Sequence, residues 1–386
     1  VGAPPSQRSG GLTVMAHRCL HLVLISTPIG ALGSGRGGGV ELTLRSLVQG
    51  LLSRGHRLTV IAGAGSTLPF SDSRLELLEV DGCDQPSWQH SDPTADITIP
   101  ANGMLPRLLE LALTHARQVG ADALLNFGYD WLPLWMTPYL SIPLFHLISM
   151  GRESAVMGEG IESLGRWDQR RLAFHTARQA ADFALPAPPR VVGNGFDLRQ
   201  YTFRPTADGS LGWAGRIAPE KGLEDAAAAA AALGEHLLVW GLKEDAAYAE
   251  AVEASVPEGT IEWRGFVPTA ELQRQLGGCR ALINTPKWNE AYGNVVVKAL
   301  ACGVPVVAYD RGGPGELIQS GTTGWLVPPD DVAGLTAALN RLNLIKRQAC
   351  RDWVETHATC QVFAERVEAW ILAGLVSGDV SISTSL

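Results

Sequence analysis

The chain has 386 residues, 46% of them hydrophobic, and a formal net charge of −8 from 31 basic and 39 acidic side chains. This length and apolar content suffice for two ordinary hydrophobic cores, so we expect two domains. The acidic balance argues against a nucleic-acid-binding protein, and no apolar run reaches the roughly 18 residues of a membrane-spanning helix.

The first half alternates short apolar runs with segments of helical periodicity. His21–Ser26 is an apolar run followed by a glycine-dense loop, Gly30–Glu41. A helix over Leu42–Leu52 and a strand over Leu58–Ala62 complete a strand–helix–strand unit, which implies a parallel sheet with right-handed crossovers. A polar stretch (67–103) with one or two short strands follows, and then a predicted helix over Leu105–Val119. We next predict a strand over Ala123–Phe127, a loop at Gly128–Trp131 and a strand over Pro143–Ile148. A helix over Glu162–Ala181 and a strand with a turn over Val191–Asp197 complete this half.

The second half restarts the same alternation. The predicted strands are Leu211–Ala214, Leu237–Gly241, Ile261–Phe266, Leu282–Asn284, Pro305–Ala308 and Gly324–Val327. The predicted helices are Leu223–Leu233, Ala246–Val256, Thr269–Leu276, one that starts near Gly293, Val332–Leu344, and most of Trp353–Leu375. The fold class is therefore α/β, with two doubly wound, Rossmann-like domains that face a cleft.

The domain boundaries follow from composition. We place the N-terminal domain at 19–200, the C-terminal domain at 206–360, and a C-terminal helix and tail at 361–386, with the two domains joined near Phe196–Pro205. Residues 1–18 are Gly-, Pro- and Ser-rich and are expected to form a disordered extension. The six cysteines lack CxxC pairing, which favours buried thiols over disulfides or a zinc site. We expect a cytoplasmic enzyme.

The glycine loop contains a GxGxxG match at Gly33, Gly35 and Gly38. A dinucleotide site would place a carboxylate at the end of the following strand, where it binds the ribose. That strand instead runs into Gly63-Ala64-Gly65-Ser66. The nicotinamide interpretation is therefore weak.

Two segments of the second half carry residues suited to a nucleotide sugar. Gly215-Arg216-x3-Glu220-Lys221-Gly222 puts two cations beside a helix N-terminus, where they would stabilise the charge that develops on a leaving diphosphate. Glu290, Gly293 and Asn294 come just before another helix, and such an N-terminus favours anions.

The order and spacing of these segments, with Arg311–Glu316 and Gly321–Pro328, resemble the C-terminal domain of family 4 retaining glycosyltransferases, which have the GT-B fold. The resemblance covers Leu211 to about Leu339 and extends more weakly over the N-terminal half. It implies that Arg216 and Lys221 bind the donor diphosphate and that Glu290 contacts sugar hydroxyls. It also implies donor contacts for the backbone amides of Tyr292, Gly293 and Asn294, for the base-binding loop at Phe266 and Val267, for the N-domain loop at Gly37, Gly38 and Gly39, and for His146 near the sugar.

Each residue also has a plainer explanation. A histidine in an apolar strand, such as His146, is more often a hydrogen-bonded core residue. Arg216 and Lys221 are also compatible with a solvated face, and Glu290 with a helix cap. One position departs from the family pattern, because Lys298 stands where the family has a second glutamate that contacts the donor ribose. An ammonium can only donate hydrogen bonds, so either the ribose is held differently, the donor affinity is reduced, or another nucleotide is preferred. Of these we expect a catalytically competent but weaker donor site.

The expected reaction needs no cofactor and no metal, since the chain has no Asp-x-Asp triplet and the two cations with a helix end can hold the phosphates. The family implies retention of the anomeric configuration, with the departing phosphate taking the acceptor proton. The stretches Ser26–Leu44, Pro143–Gly151 and Trp288–Asn294 resemble cyanobacterial UDP-glucose:tetrahydrobiopterin glucosyltransferases. That resemblance implies UDP-glucose as donor and a reduced pterin as acceptor.

The acceptor would bind in an aromatic-lined cleft near Tyr129, Trp131 and Trp135. Two other functions stay open: a degenerate sugar-nucleotide binding protein and a nucleotide-sugar epimerase of the same fold. The oligomeric state cannot be read from the sequence.

Overall fold

A computed structural model describes residues 18–85, 96–100 and 102–376. The expected N-terminal extension (1–18, except for residue 18) and the last ten residues lie outside these ranges, as does part of the polar stretch. The chain forms two parallel six-stranded sheets, one in each half. This is the doubly wound α/β architecture predicted from the alternating pattern.

The N-terminal sheet has the strand order β3-β2-β1-β4-β5-β6. Its strands are β1 (His21–Ile25), β2 (Arg57–Gly63), β3 (Leu75–Val80), β4 (Ala123–Asn126), β5 (Leu144–Ile148) and β6 (Leu172–Phe174). Its helices are α1 (Gly39–Ser53), α2 (Met104–Val119), α3 (Trp131–Met136), α4 (Ala155–Asp168) and α5 (Ala177–Ala180). β1, β4 and β5 are buried on both faces, as in other parallel sheets covered by helices.

The C-terminal sheet repeats this arrangement with the order β12-β11-β10-β7-β8-β9. Its strands are β7 (Leu211–Ala214), β8 (Leu237–Trp240), β9 (Ile261–Gly265), β10 (Ala281–Asn284), β11 (Val306–Tyr309) and β12 (Gly324–Val327). Its helices are α6 (Leu223–Leu233), α7 (Ala246–Ala254), α8 (Thr269–Leu276), α9 (Asn294–Ala301), α10 (Pro314–Leu317), α11 (Val332–Leu339) and α12 (Arg347–His357). In both sheets the strand order reverses beside the first strand of the half, which is where open α/β sheets bind ligands.

The last helix, α13 (Cys360–Leu375), returns to the N-terminal domain and packs along α1. Phe363, Val367 and Trp370 of α13 belong to the same core cluster as Leu47 and Leu51 of α1. The contact is close, because a Cβ on Gly50 would lie 2.2 Å from the carbonyl oxygen of Cys360. The chain therefore crosses between the domains twice, and the two crossings are joined by a hydrogen bond from the Phe196 amide to the Ala358 carbonyl at 2.9 Å.

The prediction of one helix over Glu162–Ala181 was wrong. Helix α4 starts seven residues earlier and ends at Asp168, and a 3₁₀ turn, the short strand β6 and helix α5 follow. Asp168 stops the helix because its carboxylate accepts the Arg170 amide at 3.1 Å, which turns the chain into β6. The loop predicted at Gly128–Trp131 is also shorter than expected, since Trp131 begins helix α3.

Candidate active site

The two predicted phosphate-binding cations lie in the loop between β7 and α6, at the carboxyl edge of the C-terminal sheet. Arg216 pairs with Glu220 at 2.6 Å and with Glu244. Lys221 lies 3.3 Å from Glu290 Oε1, and its ammonium is 4.6 Å from the centre of the Trp288 ring. A phosphate that binds here exchanges these carboxylates for its own oxygens.

The loop containing these cations lies against the end of β10. Gly222 has φ +64°, and a Cβ on it would lie 2.0 Å from the carbonyl oxygen of Thr285. The Thr285 hydroxyl donates a hydrogen bond to the Gly222 carbonyl at 2.7 Å. No larger residue fits at Gly222, so the glycine is what brings Lys221 next to the stretch that carries Glu290.

Glu290 is oriented by backbone and ionic contacts, and it does not act as a helix cap. Its carbonyl oxygen accepts the Gly313 amide at 2.6 Å, and its carboxylate faces Lys221. Helix α9 has Gly293 at its N-cap, with φ +98° and no side-chain cap. The carboxylate, which is 18% exposed, is thus available to a ligand instead of closing the helix.

The N-termini of two helices, one from each domain, meet at the cleft. A Cβ on Gly39, the first residue of α1, would lie 2.7 Å from Asn294 Nδ2, at the first residue of α9. Neither helix has a side-chain cap, so both present backbone N–H groups and a partial positive charge at this point. The predicted site residues Gly38, Gly39, Gly293 and Asn294 therefore come together.

The predicted glycine loop encloses a carboxylate of its own chain. Glu41 Oε2 accepts the amides of Gly33 and Gly35 at 2.7 and 3.2 Å, and Glu41 Oε1 accepts the Gly37 amide at 2.7 Å. Three amides on one carboxylate fix the loop in a single shape. Gly37 belongs to the loop predicted to contact the donor, and its amide is committed to Glu41. The sequence contained a sign of this contact, because Glu41 lies in the first turn of helix α1, directly after the glycines whose amides it accepts.

His146 is a hydrogen-bonded core residue. It lies in β5 and is 1% exposed, with Nε2 2.7 Å from the Thr137 hydroxyl and Nδ1 3.2 Å from Asn126 Nδ2. Burial lowers the pKa of His146 to about 3, so the ring is neutral. This geometry corresponds to the plainer of the two explanations and leaves neither ring nitrogen free for a sugar.

The predicted base-binding loop lies near helix α9, and Lys298 lies on that helix. Phe266 is 77% exposed, whereas Val267 packs against the core cluster that includes α9. Lys298 is half-buried on α9, one turn after Asn294. Its ammonium has no hydrogen-bond or ion-pair partner in the part of the chain that the structure describes, and desolvation lowers the pKa of Lys298 to about 8.

Several hydrogen bonds join the two domains around this site. Asn194 Nδ2 donates to the Thr43 hydroxyl on α1 and to Asn294 Oδ1 on α9, both at 2.9 Å. The Thr176 hydroxyl donates to the Ala291 carbonyl at 2.8 Å, beside the buried ring of Tyr292. The segment Gly193-Asn194-Gly195, at the end of the N-terminal half, thus contacts helix α9 directly.

Sequence reasoning missed two acidic residues on the N-terminal side of the cleft. Glu153 follows β5, and Asp182 follows α5 and accepts a hydrogen bond from Asn289 Nδ2 at 2.7 Å. Asn289 directly precedes Glu290. A single glutamate in a loop carries no pattern, so only the fold shows that Glu153 lies close to the Asn289–Glu290 segment, with Gly151 between them.

The C-terminal domain matches a known family. Residues 208–343, which run from just before β7 to past α11, match the family model described as Glycosyl transferases group 1. The chain is 34% identical over 136 residues to 2-deoxystreptamine N-acetyl-D-glucosaminyltransferase of Streptomyces fradiae, covering 33% of this chain and 32% of that protein. It is 34% identical over 160 residues to glycogen synthase of Mycobacterium tuberculosis, covering 39% and 38%. The chain thus spans about a third of the length of these curated relatives.

Similarity to solved structures covers both domains, not only the C-terminal one. The crystal structure of Anabaena HepE in complex with UDP and glucose superposes with a TM-score of 0.68 at 17% identity, over 92% of this chain and all of that chain. The fold is GT-B. This agrees with the predicted pair of Rossmann-like domains around a cleft. None of the described helices is long and apolar enough to cross a membrane.

Proposed function

We propose that this GT-B protein is a glycosyltransferase that moves glucose from UDP-glucose to a small acceptor, with retention of the anomeric configuration and without a metal ion. The observation that carries the proposal is the convergence of Arg216, Lys221 and the N-terminus of α9 beside Glu290, at the carboxyl edge of the C-terminal sheet. Cations and unpaired backbone amides stabilise a leaving diphosphate most where they are already in position.

The chemistry of each group supports this assignment. As the bond between the sugar and the β-phosphate breaks, negative charge grows on the phosphate oxygens, next to Arg216 and Lys221. Glu290 accepts hydrogen bonds from sugar hydroxyls, and its contact with Lys221 orients it for that role. Because both phosphate-binding cations are side chains, transfer should continue in EDTA within about twofold of the untreated rate, since no metal supplies the charge stabilisation.

The donor and acceptor identities rest on likeness and on a group of aromatic side chains in the N-terminal domain. UDP and glucose occupy the similar fold of HepE, which favours UDP-glucose. The reduced pterin follows from the resemblance of three stretches. Tyr129, whose hydroxyl donates to the Gly151 carbonyl at 2.7 Å, and the stacked rings of Trp131 and Trp135, 5.7 Å apart, suit a flat heterocycle.

A donor-by-acceptor panel read by mass spectrometry tests the proposal. We expect a hexosylated product from UDP-glucose and tetrahydrobiopterin, and none from Lys221→Ala, with the exposed Lys346→Ala as the matched control. Conversion of UDP-N-acetylglucosamine without an acceptor would instead identify an epimerase. UDP binding without any product would identify a degenerate binding protein. Proton NMR of the anomeric proton in the product shows whether the configuration of the donor is retained.

A further inference from the structure

Trp288 is an aromatic residue beside the candidate active site to which the proposed mechanism gives no role. It lies in the loop from β10 to α9, two residues before Glu290, and is half-buried. The Lys221 ammonium lies over its ring, 4.6 Å from the ring centre. The indole N–H is buried and has no acceptor in the part of the chain that the structure describes. A buried N–H without an acceptor costs free energy, so a hydrogen bond of the indole does not explain why the ring lies here.

The backbones of two loops bring the ring and the ammonium together. The Lys287 amide donates a hydrogen bond to the Glu220 carbonyl at 2.9 Å, so the next residues of the two loops, Trp288 and Lys221, are neighbours. The Lys287 ammonium pairs with Asp225 in the first turn of α6, which fixes this loop independently of Lys221. The contact between Trp288 and Lys221 is therefore set by the fold of the two loops.

The Lys221 ammonium has two neighbours that respond differently to a bound diphosphate. The Glu290 carboxylate, 3.3 Å away, competes with phosphate oxygens for the N–H groups of the ammonium. The face of the Trp288 ring attracts the positive charge without accepting a conventional hydrogen bond, so the N–H groups stay available to the phosphate. The Lys221 side chain is only 16% exposed, and a cation–π contact strengthens where water is excluded.

We propose that Trp288 is a positioning residue that holds the Lys221 ammonium where the donor diphosphate binds. A lysine side chain is long and flexible, and restricting it when the ligand arrives would cost conformational entropy. Trp288 restricts it beforehand, so the charge is already in place when the bond between the sugar and the β-phosphate breaks. The inference rests on the proposed glycosyltransferase function and leaves its stereochemistry and its proton transfer unchanged.

The variant Trp288→Leu removes the ring, and Trp288→Phe keeps an aromatic face without the indole N–H. We expect the affinity for UDP, measured by calorimetry, to fall about tenfold in Trp288→Leu and less than about threefold in Trp288→Phe, because the ring face makes the contact. The affinity for uridine, which has no phosphate, should not change in either variant. Trp325→Leu is the matched control, since Trp325 on β12 is also half-buried and has Arg341 over its ring at 3.8 Å. This control should bind UDP as the wild type does.

A double-mutant cycle with Lys221→Ala separates a positioning residue from one that contacts the donor itself. Because Trp288 acts through the ammonium, Trp288→Leu should change the UDP affinity by less than about twofold in the Lys221→Ala background. An equal loss in both backgrounds, a weaker uridine affinity, or wild-type UDP affinity in Trp288→Leu would each overturn the inference. A wild type that binds no nucleoside diphosphate and forms no product would overturn the proposed function as well, whereas an active wild type with an unaffected Trp288→Leu variant would overturn the role of Trp288 alone.

Discussion

At the scale of single residues, Lys298 is where the family pattern and the local chemistry disagree. The family resemblance implies a carboxylate that accepts two ribose hydroxyl hydrogen bonds, and an ammonium has no acceptor. The structure adds that Lys298 is half-buried on helix α9 and that its ammonium has no partner among the described residues. Two consequences can be measured separately, one in binding and one in stability.

The binding consequence concerns the donor. Lys298→Glu restores an acceptor for the ribose hydroxyls, so we expect the KM for UDP-glucose to fall by about tenfold, which corresponds to about 1.4 kcal/mol. Lys298→Gln offers one acceptor oxygen and two donors, so its KM for UDP-glucose should lie between those of the wild type and Lys298→Glu. Steady-state kinetics at varied donor concentration provide the test, and an unchanged or higher KM for Lys298→Glu would contradict it.

The stability consequence depends on pH. The folded-state pKa of Lys298, about 8, lies below its ordinary value of 10.5, so at pH 7 both folded and unfolded chains carry the charge and the desolvation cost is complete. Between pH 8 and 10.5 only the unfolded chain holds the proton, so the cost disappears as pH rises. Lys298→Met should therefore raise Tm at pH 7 by about 2–4 °C, and this gain should shrink through that window. A gain that is constant with pH would show that the ammonium is not desolvated.

Residue roles differ in how far they could be predicted from the sequence. The order of strands, glycines and helices correctly predicted that Arg216, Lys221, Glu290 and Asn294 lie at the carboxyl edge of one sheet. Glycines at strand ends mark places where two backbone segments approach closely. The pattern did not decide between the two explanations of His146, since its partners Thr137 and Asn126 come from other segments. Glu153 was missed for the same reason: its neighbours are distant in sequence.

At the scale of elements, most strands and helices were predicted close to their observed bounds, but the segment around the three-residue strand β6 was not. The bounds of α6 and β12 match the prediction to the residue, because alternating strand and helix signals delimit them. The segment 162–181 failed because β6 has only three residues, too few to show a period. The first turns of α4 contain Gly158 and Gly160, which weaken the helical signal there.

The glycine loop before α1 is an element whose shape depends on one side chain. Glu41→Ala removes the acceptor for three amides, but Gly33 and Gly35 are exposed and water can replace it. We therefore expect a loss of only about 1 kcal/mol in the free energy of unfolding. Transfer should fall by more than tenfold, since the loop no longer holds Gly38 and Gly39 at the cleft.

Urea denaturation and steady-state kinetics test this pair of expectations. Glu110→Ala, which removes an exposed glutamate from α2, is the control and should be neutral in both. Parallel losses of stability and activity would mean that Glu41 supports the fold of the whole domain instead of positioning the loop.

At the scale of the whole molecule, the two domains are held together at the point where the donor would bind. Asn194 bonds to both α1 and α9, and Asn289, beside Glu290, bonds to Asp182 of the opposite domain. Helix α13 adds a second connection, because it leaves the C-terminal domain and completes the core around α1. The relative position of the domains is therefore coupled to the same residues that are proposed to hold the sugar nucleotide.

This coupling predicts the effect of a single methyl group at the contact between the domains. Gly39→Ala places a Cβ 2.7 Å from Asn294 Nδ2, closer than real Cβ contacts, while the helical backbone at Gly39 tolerates alanine. The two domains must therefore separate, or Asn294 must rotate and lose its bond to Asn194. Because misplacement of about 1 Å can cost about 10²-fold in rate, we expect kcat to fall by roughly that factor while Tm changes by less than about 2 °C.

Gly160→Ala on α4, where the new Cβ meets side chains at 3.4 and 3.5 Å, is the matched control. Small-angle scattering should show a larger radius of gyration for Gly39→Ala if the domains part, and wild-type kcat in this variant would show that the contact does not set the active geometry.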